Sequence, residues 1–569
     1  MWLVDWFRSY WRVVVPPKTK EQADAERWLF AFPGSCQCRP FYRHYILLAG
    51  VTVQFACGVL FAMCIISRPF DLDIFGATTN NRNLRLTIES GIAVTLATAF
   101  VGPATERNGP RWSMAVGSLL TIAGLVCVQL ALWTLVWAPL VLGCIGCGLG
   151  FGYLMVSSVA TVQKWYPDMR GTALGTTMFG FGAGQIAWNA SFAAVQRGMA
   201  DDGMLQAAFL YMLLLLTPLL AFGVVVMRTP PCTFRVQGHD MHGIPSDAVP
   251  CETTLHDDYY NVGMTLINYT AVTMPRREAA VEGTDRHYHE QVRGLTLLQC
   301  IFSTDFVCVM LGFAAAACSG LLYVEIAAPH HEDRVMGWFN TTYDEGEALK
   351  LRADLLCLAS RVLTPMLSDA LYKVLYWNPA FARKVVFLLL LVVPTVALPL
   401  LVHHLDDFSR FQLLMYIVKI VAGGGFSLVG CFLTDLYGVY NMGTMYGLIL
   451  ATSSLSTLVV TVVFSGLKQD FLAQVRVMWI CCFVGLVLMV VVRTNSMDRF
   501  YPGYQFSVCG SVVVQIPFAQ RKEALTEGCV ASAPSTTAAS TKSVGYKGDG
   551  PFFLVNSDSE VSVEHILNV

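Results

Sequence analysis

Charge is what this sequence has least of. Of its 569 residues only 14% are Asp, Glu, Lys or Arg, whereas 55% are hydrophobic. Soluble domains carry about a quarter charged residues, so an ordinary soluble domain is excluded. The mean hydropathy of +0.53 is that of a polytopic membrane protein. The net charge of -2 offers no basic field for nucleic acid. No HExxH, no GxSxG elbow and no GxxxxGK[ST] loop occurs, which argues against a membrane enzyme and against an intrinsic ATP-driven pump. A disulfide framework is lacking too. Most of the 18 cysteines lie inside apolar runs, as Cys144 and Cys147 or Cys481 and Cys482 do, where they serve as small hydrophobes. Cys36 and Cys38 form a CxC without the further ligands that zinc needs, so neither a metal nor a cofactor is expected.

What the sequence has is long apolar runs. A membrane helix needs roughly 20 apolar residues, and that window finds twelve: 45–66, 84–103, 112–134, 137–162, 172–194 and 205–227, then 296–324, 348–367, 385–404, 411–434, 443–465 and 472–493. The expectation is an all-α membrane protein with twelve transmembrane helices in two six-helix pseudo-repeats, residues 45–227 and 294–493. Three segments lie outside the bundles. Residues 1–44 open with an aromatic-rich stretch in which Asp5, Arg8 and Arg12 share one helical side and Trp2, Trp6 and Val13 the other. That pattern suits either an interfacial helix or an aromatic tail without special role. The start shows no cleavable signal pattern, so the first span is expected to direct insertion. Residues 228–293 form a polar middle loop, and 494–569 include the low-complexity ASAPSTTAASTKS, expected to be largely disordered.

Lys and Arg set orientation. They gather in the N-terminal segment, in the 102–112, 164–170 and 369–384 connections and in the middle loop, whereas loop 325–347 is acidic. Both termini and the middle loop are therefore expected in the cytoplasm, most simply with the chain in a plasma membrane, an organelle membrane being the alternative. The Asn340-Thr341-Thr342 glycan acceptor would then face outside, with the His330, His331, Glu332, Asp333 rim.

The two halves echo each other. After the fourth span the chain reads KWYPDMRGTALG and after the tenth TDLYGVYNMGTMYG, so GT-x-x-G opens the fifth span of each half at Gly171-Thr172 and Gly443-Thr444. The elbow GPATERNGPRW after the second span has a counterpart, SRVLTPMLSDALYK, after the eighth. Matching elbows in a 6+6 chain are the pattern of a transporter built from two repeated halves.

Gly102, Glu106, Arg107, Gly109 and Arg111 fill the G-x-x-x-[D/E]-R-x-G-x-R frame, which resembles the signature loop of the major facilitator superfamily. WYPDMRGTALG is similar to the W-[FY]-P-x-x-R-G-x-A-x-G stretch of that superfamily's oxalate:formate antiporter and monocarboxylate transporter-like branch. The resemblance covers roughly residues 45–495. It implies the major facilitator fold, and a cytoplasmic latch formed by the first elbow with Ser368 and Asp369 of the second. Glu106 replaces the usual aspartate, and the second elbow lacks the arginine after Asp369 and the later glycine.

An ionisable group deep in a span is costly unless it faces a partner or a water-filled path. Arg361 lies in the eighth span, in the frame R-x-x-x-x-x-x-S-D with Ser368 and Asp369; in the branch just named an arginine there binds the substrate carboxylate, and here Pro365 stands in place of a glycine. Asp354, seven residues before it, lies two turns away on the same face and is placed to neutralise Arg361 in the absence of substrate. The alternative is a structural pair of Arg361 with Asp354 or Asp369. Lys419 in the tenth span is a candidate second cation for the substrate, against snorkelling or a pair with Asp305 or Asp435. Glu89 and Asp305 are candidates for proton coupling, since a carboxyl in an apolar setting holds its proton more tightly; each has a fixed structural partnership as its alternative. The alternating Gly146, Gly148, Gly150 and Gly152 suit close helix packing. The expected function is secondary transport of a small organic anion, monocarboxylate-like and proton-coupled, by alternating access. A different solute on the same scaffold, or a non-transporting sensor, are the competing expectations.

Overall fold

The computed structural model describes residues 10–11, 28–30, 38–62, 82–198, 204–231, 234–237, 241, 297–319, 339, 343–403, 407–439, 441–467, 471–499, 501, 503–508 and 511–517. Among them are twelve helices of 15 residues or more. The first six are α1 (Arg43–Cys57), α2 (Arg82–Asn108), α3 (Pro110–Thr134), α4 (Trp137–Trp165), α5 (Arg170–Gly198) and α6 (Met204–Val226). The second six are α7 (Thr304–Cys318), α8 (Tyr343–Leu375), α9 (Pro379–His403), α10 (Phe408–Tyr437), α11 (Met442–Gly466) and α12 (Phe471–Val491). Each lies over one of the expected spans. Eight have the length and apolar composition to cross a membrane: α3, α4, α6 and α8 to α12. The glycine- and threonine-rich α5 buries its small residues against other helices instead of carrying a continuous apolar surface.

The chain divides into two compact units. The first, Met1–Thr270 with Leu297–Val492, holds all twelve helices. Within it the halves repeat one packing scheme. α1 meets α4, α5 and α6, α2 meets α4, and α3 meets α4 and α6; α7 correspondingly meets α10, α11 and α12, α8 meets α10, and α9 meets α10 and α12. A strip of fully buried apolar side chains such as Ile46, Phe181 and Leu216 fills the first half, and Phe411, Met415 and Phe464 fill the second. The glycine stripes do close packing. A Cβ on Gly150 of α4 would sit 2.7 Å from the Gly117 carbonyl oxygen of α3, and one on Gly184 of α5 would sit 2.1 Å from the Phe55 carbonyl oxygen of α1. Near the start, Trp28–Phe30 (β1) pairs antiparallel with Cys38–Pro40 (β2).

The tight elbow between α2 and α3 turns on Gly109, at φ +82°, followed by Pro110 as the first residue of α3. The second elbow has no such glycine. There α8 runs on for six residues past Asp369, and Tyr376 makes the turn at φ 55°, a conformation that side-chain residues seldom adopt.

The second unit is Ala271–Thr296 with Arg493–Val569. The segment 494–569, expected to be largely disordered, has an ordered start. A helical turn at Ser496–Arg499 leads to an antiparallel hairpin, Gly503–Val508 (β3) with Ser511–Pro517 (β4). Asp498 ties the turn to the hairpin, accepting from Ser507 N (2.9 Å), Ser507 Oγ (2.6 Å) and Gln505 Nε2 (3.0 Å). The β-branched and aromatic run YQFSV…SVVVQI carries the strand preference. The low-complexity stretch lies outside the described residues, as do Asn340 to Thr342, the His330 to Asp333 rim and most of 1–44 and 228–293.

Candidate functional site

A helix N-terminus presents unpaired amides and partial positive charge, so a carboxylate placed there accepts strong bonds. Both GT-x-x-G stretches are such N-termini, and each receives the elbow carboxylate of the opposite half. Asp369 of α8 accepts from Gly171 N (3.2 Å), Thr172 N (2.6 Å) and Thr172 Oγ1 (2.7 Å) at the start of α5. Glu106 of α2 accepts from Gly443 N (3.1 Å) at the start of α11 and is held from its own half by Lys164 (2.6 Å). The two contacts are related as the halves are, so the elbows swap partners across the seam.

The Asp369 side carries more. Arg383 of α9 bonds Ser368 Oγ and Asp369, and its Nε reaches Asp435 at 3.0 Å. Asp435 of α10 in turn takes Arg170 of α5 at 3.0 Å. Arg170, Asp435, Arg383 and Asp369 thus close a ring through both halves. Tyr372 adds a bond from its hydroxyl to the Asp168 carbonyl oxygen at 3.1 Å. The turn bearing Arg170 is itself anchored by Arg43, which pairs with Asp168 at 3.0 Å and lies over the Tyr166 ring at 5.0 Å. Burial pushes the Tyr166 phenol above its ordinary value, with Arg43 opposing.

Seam glycines allow this approach. A Cβ on Gly102 would lie 2.3 Å from Thr444 Cα, and one on Gly171 would lie 2.6 Å from the Pro365 carbonyl oxygen. Gly102 and Glu106 therefore stand at the seam, as do Ser368 and Asp369. The elbow arginines do not: Arg107 lies over Tyr10 at 4.7 Å and donates to the Pro103 carbonyl, and Arg111 donates to the Val225 carbonyl. The cations that complete the network are Arg170, Arg383 and Lys164, which elbow spacing alone does not single out. Arg170 does adjoin Gly171-Thr172, and Arg383 opens an apolar run.

Farther along the seam lies Arg361. Its side chain reaches from α8 to α5, where a Cβ on Gly182 would meet its Cδ and Nε at 3.2 Å. The guanidinium stands 4.9 Å from the Phe181 ring centroid. Phe181 stacks on Phe426 of α10, and Phe426 meets Phe313 of α7 edge-on. Arg361 is 6% exposed, and its Nε and Nη1 have no hydrogen-bond partner. Neither of the structural pairs weighed for Arg361 forms: Asp369 serves Arg383 and the start of α5, and Asp354 pairs with Lys419 at 3.1 Å. Asp354 is thus turned to Lys419 in this structure and not to Arg361, where the sequence reading places it. Lys419 sits on α10 facing α8, close enough to take the carboxylate first.

Pro365 lies inside α8 without ending it. It lacks the amide that the Arg361 carbonyl would otherwise receive, and Gly175 packs against that freed oxygen, where a Cβ would be 2.9 Å away. Of the proton-coupling candidates, Asp305 lies in the first turn of α7, whose start Ser303 caps just after the short helix Leu297–Ile301. It is buried. Glu89 belongs to α2, and its side chain lies outside the described residues.

No protein-family model matches the chain, and no curated protein does. Solved structures do. The major facilitator superfamily proton:xylose symporter XylE, bound to 6-bromo-6-deoxy-D-glucose, superposes with a TM-score of 0.57 at 14% identity, over 80% of this chain and 97% of that one. A bacterial homologue of the iron transporter ferroportin, in its outward-facing state with soaked iron, gives a TM-score of 0.55 at 13% identity, over 79% and 98%. At such identity the likeness is one of fold: twelve helices in the major facilitator arrangement. With eight helices apolar enough to span a bilayer, the chain is an integral, multi-pass membrane protein.

Proposed function

We propose that the chain is a secondary transporter of a small organic anion, a monocarboxylate in the first instance, that works by rocking its two six-helix halves about the seam. The observation that carries this reading is Arg361: a buried guanidinium at the junction of the halves with donors left unpaired. An unpaired buried charge is strongly unfavourable, and a planar carboxylate is the ligand a guanidinium fork fits. Lys419 and Asp354 pair with each other two turns away, and the single fork of Arg361 suits one carboxylate. The elbow contacts of Glu106 and Asp369 supply the alternating element, since they form only while that end of the seam is closed. Proton coupling belongs to the proposal, with Glu89 and Asp305 as its candidate groups.

The test is uptake into liposomes holding the purified chain, with and without a pH gradient, over a labelled panel of pyruvate, lactate, a dicarboxylate, xylose and ferrous iron. Accumulation of a monocarboxylate, raised by an inward proton gradient, is expected. Uptake of xylose or iron without uptake of any acid would replace the anion reading with that of another solute.

A further inference from the structure

The hairpin that follows α12 in the chain has two unlike faces. Side chains alternate along a strand. The register Tyr504↔Ile516, Gln505↔Gln515, Phe506↔Val514 therefore puts four apolar side chains on one face and a glutamine pair on the other. The glutamine face is occupied: Asp498 accepts from Gln505 Nε2 at 3.0 Å and from Ser507 Oγ at 2.6 Å. The apolar face is open. Val514 is 39% and Ile516 52% exposed, with Tyr504 and Phe506 half-buried beside them. The pairing skips Val513, a bulge that leaves Val512 and Val513 exposed as well.

The sequence around this face says what covers it. From Phe500 to Gln520 there is no Asp, Glu, Lys or Arg, and the uncharged run is bounded by Arg499 on one side and by Arg521 and Lys522 on the other. It begins a few residues past Val491, where α12 ends. Nearer still to that end is Arg493, which lies over the Tyr504 ring at 5.0 Å and donates to the Asp498 carbonyl at 3.0 Å. The hairpin is thus fastened to the chain just where it leaves its last span. An amphipathic element with aromatic rings on its apolar side and cations at its ends has the composition of the membrane–water interface. Its open strand edges exclude deeper insertion, since unpaired backbone groups are not tolerated in hydrocarbon. A hairpin lying flat keeps those edges in the wet headgroup layer. A second copy of the chain fits less well. It would pair along a strand edge and leave the apolar face uncovered, and the bulge and Pro517 both interrupt the β4 edge.

We propose that the β3–β4 hairpin is a membrane-surface element: it lies flat on the lipid bilayer, with the face of Tyr504, Phe506, Val514 and Ile516 turned into the headgroup layer and the Asp498-bonded face turned to water. This surface does not depend on which solute the chain carries.

The experiment places a nitroxide, carried on an unnatural amino acid, at 514, 515 or 516 of the full chain in nanodiscs of phosphatidylcholine and phosphatidylserine. Collision with oxygen, which concentrates in lipid, and with a water-soluble nickel chelate is read at each position. Labels at 514 and 516 are expected to meet oxygen and to be shielded from the chelate, whereas the label at 515 meets the chelate. A chelate that reaches all three positions alike puts the apolar face in water and overturns the proposal. Shielding of 514 and 516 from both reagents means that protein covers the face, a second copy included, and overturns it too. A label at Phe506 supplies a second readout. It is expected to be shielded from the chelate in the otherwise wild-type chain and open to it when Val514→Asp and Ile516→Asp are combined, because the bonds to Asp498 remain while the apolar face is lost. A Phe506 label that stays shielded in the double variant overturns the proposal.

Discussion

Asp369→Asn removes one negative charge from the most heavily bonded point of the seam. The Asp369 carboxylate accepts three bonds from the start of α5, at 2.6 to 3.2 Å, and pairs with Arg383, itself 1% exposed. Asparagine keeps the shape and one acceptor, but it offers an amide where Thr172 or Arg383 also donates. Leaving a buried charge unpaired costs about 3–5 kcal/mol. Arg383 retains Asp435, so the lower part of that range applies to the fold. The cross-half share falls on the closed state alone, because the bonds to Gly171 and Thr172 exist only there. Bonds to a charged group are worth about 1.5–3 kcal/mol each, so a cross-half loss of about 3 kcal/mol weakens closure roughly a hundredfold at 1.4 kcal/mol per decade. Glu106→Gln gives the internal comparison. Glu106 makes one cross-half bond, to Gly443 N at 3.1 Å, and a bond to a charged group is worth about 1.5–3 kcal/mol. Spin labels at Asn108, ending α2, and Trp377, after α8, report the separation of the two elbows by electron–electron double resonance. Wild type is expected to show mainly the short distance, Glu106→Gln a partial shift and Asp369→Asn the larger one. A short distance unchanged in Asp369→Asn, or a larger shift in Glu106→Gln, would refute the reasoning.

Three further outcomes follow from the same contacts. Gly102→Ala places a Cβ 2.3 Å from Thr444 Cα, backbone that cannot turn aside, so the same labels should show the elbows held apart and uptake should fall. Lys419→Ala leaves Asp354 without its 3.1 Å partner and is expected to lower the melting temperature in detergent, at a cost of about 3–5 kcal/mol; adding Asp354→Ala should recover most of the loss in a double-mutant cycle, and strict additivity would show that the pair is not coupled. Asp498→Ala removes the three bonds that tie Ser496–Arg499 to the β3–β4 hairpin, so amide exchange in 503–517 should speed up while transport stays at the wild-type rate.

The twelve spans were legible because each span is a run of apolar residues long enough for a bilayer, and loss of hydropathy marks their ends within a few residues at α3, α4, α6, α10, α11 and α12. Hydropathy missed two kinds of boundary. The first turns of α8 are polar, GEALKLRAD, yet helical, and the seventh span is broken after the short helix Leu297–Ile301, α7 restarting where Ser303 caps it, a local hydrogen bond that a hydropathy window does not sense. The repeat was legible in the paired GT-x-x-G stretches, since both do the same work at a helix start. Their partners were only half legible. Glu106 and Asp369 stood out as carboxylates in glycine-bearing elbows, whereas Arg383 and Lys164 are basic residues among many, chosen by three-dimensional proximity. The same limit hid the Asp354–Lys419 pair, because the two residues stand 65 positions apart on two different helices. The hairpin after α12 was obscured by the low-complexity stretch that follows it.

The most direct test of the account is uptake of labelled pyruvate into liposomes containing either the wild-type chain or Arg361→Ala, at equal protein content and with proper folding verified by melting temperature. The account expects saturable uptake by wild type and its loss, by two orders of magnitude or more, in Arg361→Ala, with Arg361→Lys restoring part of it because the charge returns without the planar fork. Equal uptake by wild type and Arg361→Ala would contradict the account and make the buried guanidinium a structural group.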